Sequence, residues 1–294
     1  MSVDLKQYTT FGSDNNVLAQ YSSDLGVLES QGLALAACNL NYGQEIKHFV
    51  ETIKAEAKNI TGVIGHQFSF SMEASLTDNS NHHAVAAATF TAPVVLKSDG
   101  EPSLEFQTGQ VDDLRKFTFS FPLKKARSVL GGFALSFKGK DRRVFGLTAR
   151  TSILDDKVEG NTTTVSVTAS INAEPNVSAP GDAYVLVIGQ KEGDPTLFES
   201  TTWNTGDREV TVRMKDLTRP IGQVAVFIES FEVDYEDRKS HDVRQFLLDA
   251  GNNSLKVTND SNEAVITFSP KLVLTDGDKL AKGSLSLLVM AVPA

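Results

Sequence analysis

From residue 66 onward, apolar and polar positions alternate with a period of two. The runs are His66-Gln-Phe-Ser-Phe-Ser-Met, Ser103-Leu-Glu-Phe-Gln, Lys116-Phe-Thr-Phe-Ser-Phe, Thr163-Thr-Val-Ser-Val-Thr and Glu209-Val-Thr-Val-Arg-Met. Successive side chains of a strand point to opposite faces, so alternation predicts strands with one side on a core and the other in water, as in antiparallel sheets. Turn chemistry falls between the runs, at Ser98-Asp-Gly-Glu, Lys138-Gly-Lys-Asp, Glu159-Gly-Asn, Asn259-Asp-Ser-Asn and Asp276-Gly-Asp. Short strands punctuated in this way predict an all-β fold of antiparallel β-sandwich units.

One stretch follows a different period. Ile46, Phe49, Val50, Ile53 and Ala57 recur at helical spacing, with Glu45, Lys47, Glu51, Lys54, Glu56 and Lys58 between them and Asn59 and Gly62 as a stop. This predicts one amphipathic N-terminal helix over 43–58. Residues 1–42 show no sustained period and read as an irregular arm or first strand. A faint repeat near 95 residues relates Phe117-Thr-Phe to Val210-Thr-Val, Gly132-Phe-Ala-Leu-Ser-Phe to Val224-Ala-Val-Phe-Ile, and Tyr184-Val-Leu-Val-Ile to Leu285-Ser-Leu-Leu-Val-Met. The predicted organisation is therefore two units in tandem: an arm (1–42), helix plus first sandwich (43–190), a Gly, Pro and charge-rich linker (191–207) and a second sandwich (208–294).

Charge changes this picture more than composition does. The 294-residue chain carries 28 basic and 37 acidic residues, a net charge of −9, which argues against a dedicated nucleic-acid binder. The balance is uneven. Ten basic residues and one acid lie between Arg115 and Arg150, leaving 18 basic and 36 acidic residues elsewhere. Lys124, Lys125 and Arg127 follow a strand, Lys138, Lys140, Arg142 and Arg143 gather at a hairpin tip, and Glu232, Asp234, Glu236 and Asp237 form an acidic counterpart. Scattered basic residues discourage edge pairing in many β proteins, but a basic patch facing an acidic one also builds heterologous contacts between copies. The same patch would suit an anionic ligand or glycan.

Catalytic and cofactor motifs are absent from the pattern, and no cofactor is expected. His82-His83 beside Asp78 is the one ligand-like cluster, without the third or fourth ligand at regular spacing that zinc sites use. Asp276-Gly-Asp278 lacks the acidic set of a calcium loop, and Gly131-Gly132 precedes a strand instead of opening a helix over a phosphate. Cys38, the single cysteine, sits among apolar residues and reads as an inert buried thiol. Trp203 is a candidate stacking residue for a sugar ring, or a plug at the seam between units. The five Asn-x-Ser/Thr sequons read as turn composition. No secretory start and no run of about 18 apolar residues is seen, which favours a cytoplasmic protein, or one released as part of an assembly, without a membrane span.

The strand periodicity is similar to that of the small tandem β-sandwich modules of lectins and of viral or phage-like structural proteins. That similarity lives in periodicity alone and assigns no residue. The functional expectation is a non-enzymatic structural protein that self-associates into a tube, tail-like or shell-like assembly, with other copies of itself as partners. The alternative is a carbohydrate- or surface-binding module of a lectin, adhesin or toxin. A glycosidase-like pair of carboxylates stands third, since such partners meet only in the fold.

Overall fold

The computed structural model describes residues 2–21, 27–43, 48–80, 82–96, 103–138, 140, 142–173, 181–237 and 239–294. Among them the chain forms strands throughout, one 3-10 turn at Asn252–Ser254 and no α-helix. The first strands are β1 (Ser2–Phe11), β2 (Ser13–Gln20), β3 (Leu28–Gln31), β4 (Ala34–Asn41), β5 (Thr52–Ile64), β6 (Gln67–Thr77) and β7 (Val85–Leu96). Next come β8 (Leu104–Val111), β9 (Leu114–Phe119), β10 (Lys125–Ser136), β11 (Gly146–Glu159), β12 (Thr162–Asn172) and β13 (Gly181–Gln190). The last are β14 (Leu197–Asn204), β15 (Val210–Lys215), β16 (Ile221–Asp234), β17 (Gln245–Asp249), β18 (Lys256–Asn259), β19 (Glu263–Phe268), β20 (Lys271–Thr275) and β21 (Lys282–Pro293).

These strands pair antiparallel, and one pairing order recurs three times. β7 lies between β1 and β4 while β6 lies between β2 and β5. In the same way β13 lies between β8 and β10, and β12 between β9 and β11. In the last third, β21 lies between β14 and β16 and β19 between β15 and β18, with one departure: the strand matching β5 and β11 is β17, which pairs with β20. Where the sequence pattern offered two units, the pairing order offers three, spanning 2–96, 104–190 and 197–293; we call them the first, second and third units. Residues 1–42, read as an arm or first strand, contribute β1 to β4, and the segment read as a linker, 191–207, contains β14.

The units join edge to edge into a closed cycle. β5 of the first unit pairs with β10 of the second, β11 of the second with β16 of the third, and β17 of the third returns to β4 of the first. The three seams keep one register: Ile53 opposes Leu135, Leu147 opposes Val233, and Phe246 opposes Leu40. Two residues along, Ala55 opposes Phe133, Ala149 opposes Phe231, and Leu248 opposes Cys38. Two seams thus pair Phe with Ala and the third pairs Cys with Leu, a volume-conserving exchange that a close-packed interior tolerates. Phe133, Phe231 and Phe246, one from each of three sheets, meet with ring centroids 5.5 to 6.1 Å apart, and all three are fully buried. Burial of each ring contributes about 1.5–3 kcal/mol. Gly132 lets the first seam close: a Cβ there would lie 2.7 Å from the Ala55 carbonyl oxygen, and its φ of 153° is one that other residues rarely adopt.

The predicted N-terminal helix is overturned. The latter part of 43–58 lies in β5, where Ile53, Ala55 and Ala57 face inward at period two. Phe49, a member of the helical stripe, is 43% exposed, and Ile46 falls outside the described residues. Both edges of β5 are occupied, by β6 and β10, and that backbone pairing outweighs a local helical period. Glu56, assigned to a solvated helical face, is instead buried, with the Lys58 ammonium 2.5 Å and the Lys54 ammonium 3.6 Å from its carboxylate.

Apolar runs without alternation have a matching cause. In β13, Val185 and Val187 pack with Phe117, Phe119 and Val165, while Leu186 and Ile188 pack with Val95, Val129 and Phe227. Both faces of that strand are covered, so neither is polar. No helix among the described residues is long and apolar enough to cross a membrane.

Candidate functional site

Three short segments enter β5, β11 and β17, and each pairs with the other two. Val50 exchanges backbone hydrogen bonds with Arg142, Val144 with His241, and Val243 with His48, all at 2.8–3.1 Å. Val50, Val144 and Val243 are fully buried. His48, Arg142 and His241 therefore occupy equivalent positions around this closure, six residues after Tyr42 in one case and after Tyr235 in another.

In the first and third units the equivalent histidine meets an equivalent aspartate. The Nδ1 atoms of His48 and His241 lie 2.9 and 2.8 Å from Oδ2 of Asp78 and of Asp276. Each aspartate follows a strand, β6 or β20, and its other oxygen closes a turn. Oδ1 of Asp78 accepts the backbone N–H groups of Ser80 (2.9 Å) and His82 (3.0 Å), and Oδ1 of Asp276 accepts those of Asp278 (2.9 Å) and Lys279 (2.7 Å). A tyrosine ring flanks each histidine, Tyr42 at 4.6 Å and Tyr235 at 4.1 Å between centroids. Burial works to raise both carboxyl pKa values, but these backbone donors, with His82 on Asp78 and His241 on Asp276, hold them below the usual carboxylate range. In the second unit the residue matching Asp78 lies outside the described residues.

The two clusters diverge in their third member. In the first unit His82 also directs Nδ1 at Asp78 Oδ2, 2.9 Å away, with its ring 4.6 Å from that of His48. Two imidazole nitrogens and one carboxylate oxygen then lie within 4.8 Å of one another, a donor set suited to zinc and its neighbours. In the third unit His241 directs Nε2 at Asp237 Oδ1 (3.0 Å), and Asp237 takes the ammonium of Lys279. The Lys279 and His241 bonds hold the Asp237 carboxyl well below its ordinary pKa. Asp78 and His82 were visible in the sequence as neighbours. His83 is exposed and lies outside the cluster, and His48, within the predicted helix, read as a solvated residue on or at the edge of its polar side. A repeated Leu-Thr-Asp, at 76–78 and 274–276, was the available signal.

The charged residues singled out from the sequence fall into two adjoining loops and the strands that lead to them. Arg143 of the basic loop binds Asp242 at 2.9 Å, with its guanidinium also 5.4 Å from the centroid of the Phe49 ring. Lys138, Lys140 and Arg142 are exposed and form no ion pair among the described residues. Lys124 pairs with Glu192 at 3.3 Å, and Lys125 is exposed at the start of β10. Arg127 is half-buried, and burial lowers its pKa against the pull of Glu229 and Glu199. Glu232 and Asp234 lie on β16 opposite Thr148 and Gly146, and Glu236 pairs with Lys282 at 2.9 Å. Trp203, on β14, is 5% exposed and donates Nε1–H to the Asp207 carbonyl at 3.1 Å. Its ring belongs to the core and not to a surface.

No protein-family model matches the chain, and no curated protein is significantly similar to it.

Proposed function

We propose that this chain is a structural, self-associating protein built of sandwich-like units whose unlike charges dock one copy on another. The carrying observation is the distribution of charge around the cycle. The second unit holds 11 basic and 9 acidic residues, against 4 and 9 in the first and 11 and 15 in the third. Such complementarity already acts inside the chain, where Arg143 meets Asp242. Lys138, Lys140 and Arg142 remain exposed beside that pair, available to an acidic face of a second copy. A contact between unlike surfaces is heterologous and propagates as a ring or filament.

Sedimentation velocity and negative-stain microscopy at low and moderate salt test this reading. Oligomers that shrink as salt rises, and that are lost in the combined Lys138→Glu, Lys140→Glu, Arg142→Glu variant, are the expected outcome. A monomer under every condition overturns it. The carbohydrate-binding alternative leaned on Trp203, and burial of that ring removes its stacking platform.

A further inference from the structure

We propose that His48, Asp78 and His82 bind one divalent transition-metal ion of the zinc class, and that the matching cluster of the third unit does not. Three donor atoms converge there from two separate parts of the chain, the segment entering β5 and the turn after β6. Asp78 is 5% exposed, with one oxygen fixed by two backbone N–H groups, so its second oxygen is presented in one orientation. His48 is set by its backbone bonds to Val243 and by the Tyr42 ring. His82, with 57% of its side chain exposed, opens the site to solvent and leaves room for water as a fourth ligand.

The present N···O separations are 2.9 Å, whereas a tetrahedral zinc with ligands near 2.0–2.2 Å needs donors about 3.3 Å apart. Movements of a few tenths of an ångström by each imidazole ring relative to the Asp78 oxygen close that gap. Coordination through Nδ1 requires each neutral imidazole to carry its proton on Nε2, a change of tautomer without a change of charge. A single carboxylate with two neutral imidazoles has net charge −1, which a dication overcompensates only modestly.

The third unit supplies the internal contrast. It has the same histidine, aspartate, turn and flanking tyrosine, but a second carboxylate and a lysine ammonium complete its charges. One unit carries its cation covalently, and the other presents the same scaffold with two nitrogen ligands.

The test is calorimetric titration of the full, tag-free chain with Zn²⁺, supported by the visible absorption of Co²⁺, which reports tetrahedral nitrogen and oxygen ligation. We expect one ion per chain, bound at least tenfold more weakly by His82→Ala and by His48→Ala, with Lys279→Ala unchanged. Far-UV circular dichroism checks that each variant is folded; His82→Ala retains the backbone bond to Asp78. Wild-type protein without saturable binding, or His82→Ala binding as tightly as wild type, overturns the site. The charge-reversed variant described above keeps all three ligands, so metal binding and self-association stand or fall separately.

Discussion

The first and third units put a histidine, an aspartate and a tyrosine at the same place in the same strand order, yet complete the cluster differently. In the third, Asp276 and Asp237 satisfy the two nitrogens of His241, and the Lys279 ammonium on Asp237 closes a network of fixed charges. In the first, two imidazoles converge on one carboxylate oxygen, and no lysine enters among the described residues. The difference teaches that the scaffold specifies the histidine–aspartate pair, while the turn after the strand decides what that pair holds. Backbone donors fix each aspartate in both units, so the pair belongs to the fold and the third member is free to vary.

The largest effect should come from breaking the closure on which both clusters rest. Phe231→Ala removes the ring that touches both Phe133 and Phe246, and such a cavity costs about 3–5 kcal/mol. Chemical denaturation is expected to show that loss as one cooperative transition, because the three seams share the core. Separate transitions for the three units would show that the cycle is not a cooperative whole.

Next in size are the two aspartates. Asp78→Ala leaves the N–H groups of Ser80 and His82 without their acceptor, and Asp276→Ala does the same to Asp278 and Lys279. Each should lower stability by about 1–3 kcal/mol, measured by the same denaturation. Similar losses would confirm that the pair is structural in both units; a loss confined to one would separate them.

Acid should then erode both clusters together. Asp78, Asp237 and Asp276 have pKa values below the ordinary carboxylate value of about 3.9. A depressed folded pKa contributes stability that is complete above the unfolded value and lost as pH falls through the lower folded one. Thermal midpoints should thus be unaffected by these groups from neutral pH to about 5 and decline below about 4. Asp276→Asn should flatten part of that decline, and an unchanged acid slope would remove the third-unit network from the account.

Much of the fold was legible as alternation, and little of the site was. The runs beginning at His66, Ser103, Lys116, Thr163 and Glu209 fall on β6, β8, β9, β12 and β15, because one wet face leaves a period of two in the residues. The 43–58 stretch misled because Ile53 and Ala57 satisfy both a helical and a strand spacing, and only the partners on either side of β5 decide between them. Partner choice itself is unwritten locally: β17 pairs with β4 some two hundred residues away, and that pairing closes the cycle. Asp78 and His82 could be read together since four positions separate them, but His48 joins them only through the fold.

The smallest effect tests the comparison most directly. Lys279→Ala removes an ammonium from an exposed pair with Asp237, and exposed pairs contribute about 0–1 kcal/mol, so stability should barely move. His241 keeps both carboxylate partners in that variant. Lys279→His goes further, placing an imidazole where the first unit has His82, just before the residue that bridges back to the end of the preceding strand. If the third member alone decides what the pair holds, this chain should bind a second Zn²⁺ ion in the calorimeter, with nearly unchanged thermal stability in the absence of metal. A stoichiometry that stays at one would mean that Asp237, by occupying Nε2 of His241, already commits the third unit to its network of fixed charges, and that the units differ in two residues and not one.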